Sequence, residues 1–309
     1  MKFLRLLTIM ALLSCVNSAY AESLRFMSGP AGGNWDKLGN VLADILTASG
    51  LPQTSINAGG GVSNILNIHA RRGDLGFSVT SLLGAALKGE ADFKGRKVDN
   101  AVIMTNLYTQ YTYFIMRKDF ALKNKIKSVE DIIDKKPVIR FATLRPGTSS
   151  EFIVKALFEK AWGLDYKKIF QVQYETYESG AGLLIDNHLD CIAFSVGKVA
   201  PIISNIESKI DVVFLPINQD ALDKLSEAYG TVTLEIAPGI KTVGDYTCIV
   251  IRKDLPAKLV YEINRAIFEN KDKISSQVPD MKELEPSTAL PEKIPAHEGS
   301  IEFWKSQKL

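Results

Sequence analysis

The chain has 309 residues, with 37 Lys and Arg against 35 Asp and Glu, a formal charge of +2. This near-balance argues against nucleic acid or an anionic membrane surface as the main partner, since either selects a basic excess. The length suffices for two units of ordinary domain size, and three cysteines are too few for a fold built on disulfides.

Residues 1–21 read MKFLRLLTIMALLSCVNSAYA. Lys2 and Arg5 form a positive start, Leu6 to Leu13 an apolar centre, and Ala19-Tyr20-Ala21 a small-residue cleavage site. The expectation is a Sec signal peptide cut before Glu22, placing the mature chain outside the cytoplasm, in the periplasm. A competing reading makes Cys15 a lipid-modified terminus after Leu13-Ser14, although the leucine fits that processing site poorly. The leader carries two cations and no acid, so the mature chain holds 35 charges of each sign.

The mature chain alternates short β runs with helical ones, which predicts an α/β fold with mostly parallel sheets. Leu24–Met27 reads as a first strand, and Trp35, Leu38, Val41, Leu42, Ile45 and Leu46 mark one face of a helix. A second glycine cluster, Gly59-Gly60-Gly61-Val62-Ser63-Asn64, opens the next helix; Gly76–Thr80 alternates as a strand, and a helix follows over Leu82–Lys88. A further α/β unit runs from the strand Val138–Thr143 through helix Ser149–Trp162, strand Phe170–Tyr174 and helix Ser179–Asn187 to the strand Cys191–Val196. The phrase Arg117-Lys118-Asp119, at the end of an apolar strand, is echoed by Arg252-Lys253-Asp254. That echo suggests two strands crossing between lobes, the minimum a hinge requires, with coincidence as the alternative. A helix around Leu259–Ile267 and a polar tail anchored by Trp304 complete the chain.

Enzymatic motifs fail one by one. The opening SGPAGGNWDKLG lacks the lysine and hydroxyl of a P-loop and the G-x-G-x-x-G spacing of a dinucleotide site. His69, His188 and His297 stand on separate segments without metal-ligand spacing, no G-x-S-x-G elbow occurs, and neither Cys191 nor Cys248 has the setting of a nucleophile. No enzyme, cofactor or metal is therefore expected. A bridge between Cys191 and Cys248 and two buried free thiols both stay open.

What remains is three loops at the C-terminal ends of strands, each opening a helix: after Met27, after Ile56, and Leu144-Arg145-Pro146-Gly147-Thr148-Ser149-Ser150 after Thr143. Helix starts present unpaired N–H groups and partial positive charge, and glycine leaves them bare for a small anion. The competing reading is local: Thr148 to Glu151 is a capping box, Ser128 to Asp131 resembles one, and Asn34 and Asn64 could be plain caps.

The ordered series Gly32-Gly33-Asn34-Trp35-Asp36-Lys37-Leu38-Gly39, Gly59 to Asn64, Arg71-Arg72-Gly73-Asp74-Leu75-Gly76-Phe77, Asn106-Leu107-Tyr108, Pro146-Gly147-Thr148 and Ala296-His297-Glu298-Gly299-Ser300 resembles the TAXI family. Its members are extracytoplasmic solute-binding subunits of tripartite ATP-independent periplasmic (TRAP) transporters. The resemblance implies a two-lobed periplasmic-binding-protein fold of type II kind, each lobe a mostly parallel sheet flanked by helices and joined by two hinge strands. Lobe 1 is expected over 22–112 and 248–309 and lobe 2 over 113–247. It also implies capture of a small organic anion such as glutamate or 2-oxoglutarate, and delivery by a monomer to integral-membrane TRAP subunits. Ser81 in place of a frequent aspartate, and Gly147-Thr148-Ser149-Ser150 in place of Gly-Ser-Gly-Thr, depart from the family pattern. The expected ligand contacts are Gly33, Asn34, Trp35, Gly60, Ser63 and Asn64 from lobe 1 and Arg145, Thr148, Ser149 and Gly197 from lobe 2, with Ser81 and Tyr108 nearby. A ligand sensor for a membrane receptor or kinase, and a periplasmic enzyme, are the alternatives.

Overall fold

The computed structural model describes residues 23–308; the expected leader, its cleavage site and Cys15 lie outside the described residues. The chain begins β1 (Ser23–Met27), α1 (Asn34–Ala48), β2 (Gln53–Asn57), α2 (Gly61–His69), β3 (Leu75–Val79) and α3 (Thr80–Lys88), then crosses on the long β4 (Ala101–Arg117). After α4 (Lys118–Asn124) and α5 (Val129–Lys135) come β5 (Arg140–Thr143), α6 (Ser149–Trp162), β6 (Gln171–Tyr174), α7 (Tyr177–Ile185) and β7 (Cys191–Val196). Next are α8 (Pro201–Glu207), β8 (Val212–Phe214), α9 (Gln219–Tyr229) and β9 (Val232–Ala237). The chain returns on β10 (Ile240–Arg252) and ends in α10 (Ala257–Glu269), α11 (Lys271–Gln277), a single-turn helix at Pro279–Glu283, and α12 (Glu298–Ser306).

All strands join one sheet in the order β2-β1-β3-β10-β4-β7-β5-β6, with β8 on β4 and β9 on β10. The order is symmetric about its centre: β2-β1-β3 beside β10 is matched by β6-β5-β7 beside β4. Each half is a parallel βαβαβ unit closed by one antiparallel strand, and β3 and β7 are buried along their whole length, as strands covered on both faces must be. One ion pair is repeated with the topology. Asp74, just before β3, accepts the backbone N–H and both sides of the guanidinium fork of Arg25 on β1, at 2.9 Å each. Asp190, just before β7, takes the same three groups of Arg140 on β5 at 2.8, 3.1 and 2.6 Å.

The echoed Arg-Lys-Asp phrases occupy opposite ends of this arrangement. Arg252 N–H bonds the carbonyl of Asp74, and Arg117 N–H that of Asp190, so each phrase closes the outer end of one half. The crossing lies upstream of both. β10 pairs with β9 over Ile240–Gly244 and with β3 over Thr247–Ile251, while β4 passes from β10 to β7 at Tyr111. Cys191 and Cys248 are buried free thiols. They lie on strands separated by β4, opposite Met116 and Asn106 respectively, so the bridge left open by the sequence is not formed; burial pushes both thiols up. The tail folds back on the first half through Ala289, Pro295 and His297, which bond β4, and Trp304 is buried with its indole N–H on Asn264 at 3.1 Å.

Candidate functional site

Three helix starts converge between the two halves. α1 begins after Gly33, α2 after Gly60 and α6 after Thr148, each with an extended N-cap. The halves touch here: Val62 N–H donates to the Gly147 carbonyl at 3.1 Å. The first-turn N–H groups of Asn34, Trp35, Gly61, Ser149 and Ser150 have no partner in the described protein, so three partial positive charges face one space.

That space is a cavity lined by Pro30, Gly33, Asn34, Trp35, Gly60, Gly61 and Gln110 from one side and Leu144, Thr148, Ser149, Ser150, Tyr177, Ser195, Val196 and Gly197 from the other. No lining side chain is charged. It is tightly closed, with about 20 Å³ open to the centre of a water-sized sphere, room for about one water. A second cavity of about 400 Å³ adjoins it through shared Gly33, Asn34, Tyr177 and Val196 and reaches Lys37, Glu178 and Asn205.

Seven of the expected contacts therefore come together at the cavity: Gly33, Asn34, Trp35, Gly60, Thr148, Ser149 and Gly197. Their chemistry differs from the expectation in part. Asn34 does not cap α1; its amide donates to Asp280 at 2.8 Å. Trp35 serves both core and cavity, with its ring 5.7 Å from Phe77 and its indole N–H 3.3 Å from Thr247 Oγ1. Thr148 caps α6 through Glu151 N–H at 3.3 Å, while the Glu151 carboxylate is drawn to Tyr166 instead of closing the box.

Five expected contacts are not brought to the cavity. Ser63 turns its hydroxyl back to the Gly60 carbonyl. Asn64 is fully buried and spent on structure, accepting from Gly60 N–H and donating to the carbonyls of Met27, Ser28 and Phe77, so it pins the first two glycine loops together. Ser81 bonds Asp245 through both its hydroxyl and its N–H. Tyr108 is buried outside the lining. Arg145 is exposed and does not line the cavity.

Sequence reasoning missed Gln110, Ser150, Tyr177, Ser195 and Asp280. Ser195 had a faint signal, because Phe194-Ser195-Val196 after Asp190 repeats Phe77-Ser78-Val79 after Asp74. Asp280 had none, since it reaches the site from the C-terminal tail. Its carboxylate accepts from Asn34 on one side and from Val199 N–H, at 3.4 Å, on the other. Burial pushes its pKa up, against the pull of the Val199 N–H. A Cβ on Gly197 would sit 2.1 Å from its Oδ2, so glycine is what lets this carboxylate lie against the loop after β7.

No metal-binding cluster occurs among the described residues, and no described helix is long and apolar enough to cross a membrane. His297 is a buried cap, its Nδ1 accepting from Gly299 N–H.

Several solved structures share the fold. MatC from Rhodopseudomonas palustris, solved with bound malate, superposes with a TM-score of 0.58 at 15% identity over 94% of this chain and 96% of that one. The periplasmic binding protein BugD gives 0.57 at 14% over 93% and 95%. A binding protein component of an ABC phosphonate transporter from Pseudomonas aeruginosa gives 0.55 at 13% over 83% and 78%. No curated protein matches by sequence. The model of the NMT1-like family matches residues 26–307, so the chain belongs to the NMT1-like family.

Proposed function

We propose that the chain is a periplasmic solute-binding protein whose two lobes, hinged on β4 and β10, close on a small organic anion and present it to the membrane subunits of a TRAP transporter, in the manner of the TAXI family. The observation that carries the reading is the convergence of three bare helix starts, from both halves, on one cavity without a charged side chain. Backbone N–H groups aimed at one point favour an oxyanion such as a carboxylate. Contacts from both halves give the closed form the differential affinity that any ligand-driven closure needs.

The bound malate of MatC, a neighbour in fold, is consistent with such a solute. Arg145 plays no part, and Asp280 joins the site as a bridge between Asn34 and the Val199 loop. The hydroxyl groups of the lining have no histidine, lysine or carboxylate beside them in it to act as a base, so binding without turnover is the reading.

The test is native mass spectrometry of protein purified from a periplasmic extract, followed by thermal-shift screening of amino acids and of mono-, di- and tricarboxylates. A rise in Tm with a small carboxylate is expected. Stabilisation by neutral or cationic solutes alone, or chemical conversion of a bound solute, overturns the reading.

A further inference from the structure

The hydrogen-bond inventory of the cavity is lopsided. Most of its polar side chains are already spent on the protein: Tyr177 hydroxyl donates to the Ser195 carbonyl at 3.3 Å, Ser150 Oγ accepts from Ser195 N–H at 3.0 Å, and Ser195 Oγ pairs with Thr112 Oγ1 at 2.9 Å. The free groups are the first-turn N–H donors, the Ser149 hydroxyl, and two amide oxygens, that of the half-buried Asn34, whose Nδ2 is held by Asp280, and that of Gln110; of the two amides only Gln110 is buried. Gln110 is 6% exposed, and its Oε1 has no partner. Its other end is fixed, because Nε2 donates to Thr247 Oγ1 at 2.8 Å, an oxygen that also receives the Trp35 indole N–H.

A buried amide oxygen without a donor is costly unless a water or a ligand that displaces it supplies one. Gln110 lines the cavity where β4 pairs with Asp245 of β10. The cavity admits a solute only by opening toward its neighbour of about 400 Å³, and the solute that completes the inventory has an oxyanion for the N–H groups and, beside it, a hydrogen-bond donor for Oε1. No lining side chain is anionic, and the two nearby carboxylates are already engaged, Asp280 by Asn34 and the Val199 N–H and Asp245 by Ser81 and the Tyr246 N–H, which favours a neutral hydroxyl over an ammonium beside Gln110.

Building on the anion reading above, we infer that Gln110 is a specificity-determining residue and that the solute is a small hydroxycarboxylate, its hydroxyl donating to Gln110 Oε1. A site that satisfies a buried acceptor through the ligand discriminates against analogues lacking the donor.

The experiment is calorimetric titration of the intact mature protein with matched pairs: malate against succinate, 3-hydroxybutyrate against butyrate, and lactate against pyruvate and alanine. The hydroxylated member of at least one pair is expected to bind about tenfold or more tightly. Gln110→Leu is expected to bring that ratio within about twofold. Equal binding within every pair, preference for the amino member, or a ratio unchanged by Gln110→Leu overturns the assignment while leaving the anion reading intact. Binding by no carboxylate at all removes the anion reading, and the assignment with it. Should Gln110→Leu not fold, as judged by circular dichroism, the wild-type ratios decide.

Discussion

Gly60 and Gly147 meet across the cleft so closely that a Cβ on Gly60 would stand 2.8 Å from the Gly147 carbonyl oxygen. Gly60 itself is extended, at φ −166°, a conformation open to any residue. The need for glycine here is thus one of space between the halves. Gly60→Ala is expected to leave the isolated first half unstrained and to hold the cleft ajar, weakening solute binding by roughly 1–3 kcal/mol, the usual cost of overpacking. Titration calorimetry together with small-angle scattering checks it. A variant that closes and binds like the wild type sinks the idea that this contact sets closure.

Arg145, in the loop before α6, and Ser149, the first residue of that helix, separate two ways of holding an anion. Arg145 is exposed, whereas Ser149 is buried against the cavity with a free hydroxyl and N–H. Arg145→Ala is expected to change affinity by less than about twofold, and Ser149→Ala to lose about 1 kcal/mol, the typical worth of one hydrogen bond. Affinities for the carboxylate found by screening decide; a large loss with Arg145→Ala returns the guanidinium to the site.

This contrast shows what the chain discloses by itself. Helix starts are local, so the glycines before α1 and α2 and the Thr148 cap were legible, and with them most of one wall of the cavity. Arg145 falls outside the cavity lining, and charge type says nothing about which way a loop side chain turns. Asn64 misled because a buried amide that ties three carbonyls looks in sequence like one that greets a ligand. Gln110 and Asp280 depend on strand register and on the path of the tail, neither of which has a local signature. The internal duplication left only sparse traces: Arg-Phe at 25–26 and 140–141, Asp ahead of Phe-Ser-Val, and Arg-Lys-Asp. Those residues fix ion pairs and buried strands; the rest of each half is free to differ as long as its apolar pattern holds.

The duplicated ion pair gives a stability test. Asp74 is buried and holds Arg25 and, at 2.7 Å, Arg252. Burial raises its carboxyl, but the bonds from Arg25 outweigh that and the pKa is lowered. Removing the acid leaves two cations short of a partner. With Arg25 40% exposed, the loss for Asp74→Ala is expected just below the range for broken, fully buried pairs, about 2–3 kcal/mol. Asp119, 66% exposed beside Arg117, is worth less than about 1 kcal/mol by the same measure. Because the Asp74 pKa is depressed on folding, its contribution is present above the ordinary aspartate range and fades as pH falls through the folded value. Urea unfolding of both variants distinguishes the two sites; equal losses contradict the ranking.

Asp245 carries the opposite sign. It lies on β10 at the start of α3, where its carboxylate accepts from Ser81 N–H at 3.3 Å, from the Ser81 hydroxyl, and from Tyr246 N–H at 2.8 Å. Burial dominates, and the pKa is pushed up to about 7 despite those bonds. The folded chain therefore keeps a proton that the unfolded chain releases above about pH 4, and this site makes stability fall as pH rises from about 4 to 7. The whole fall is about 4 kcal/mol at most; the depressed carboxyls of Asp74, Asp119, Asp131 and Asp254 act in the other direction but below about pH 4. Asp245→Asn removes the titration while keeping an oxygen that can accept from Ser81. Relative to the wild type, the variant is expected to gain stability as pH is raised across that window and to show a constant difference above it. Unfolding curves at pH 4.5, 6 and 8 measure this directly. A difference that does not change with pH means Asp245 is ionised throughout, held by the α3 N-terminus more strongly than burial opposes it.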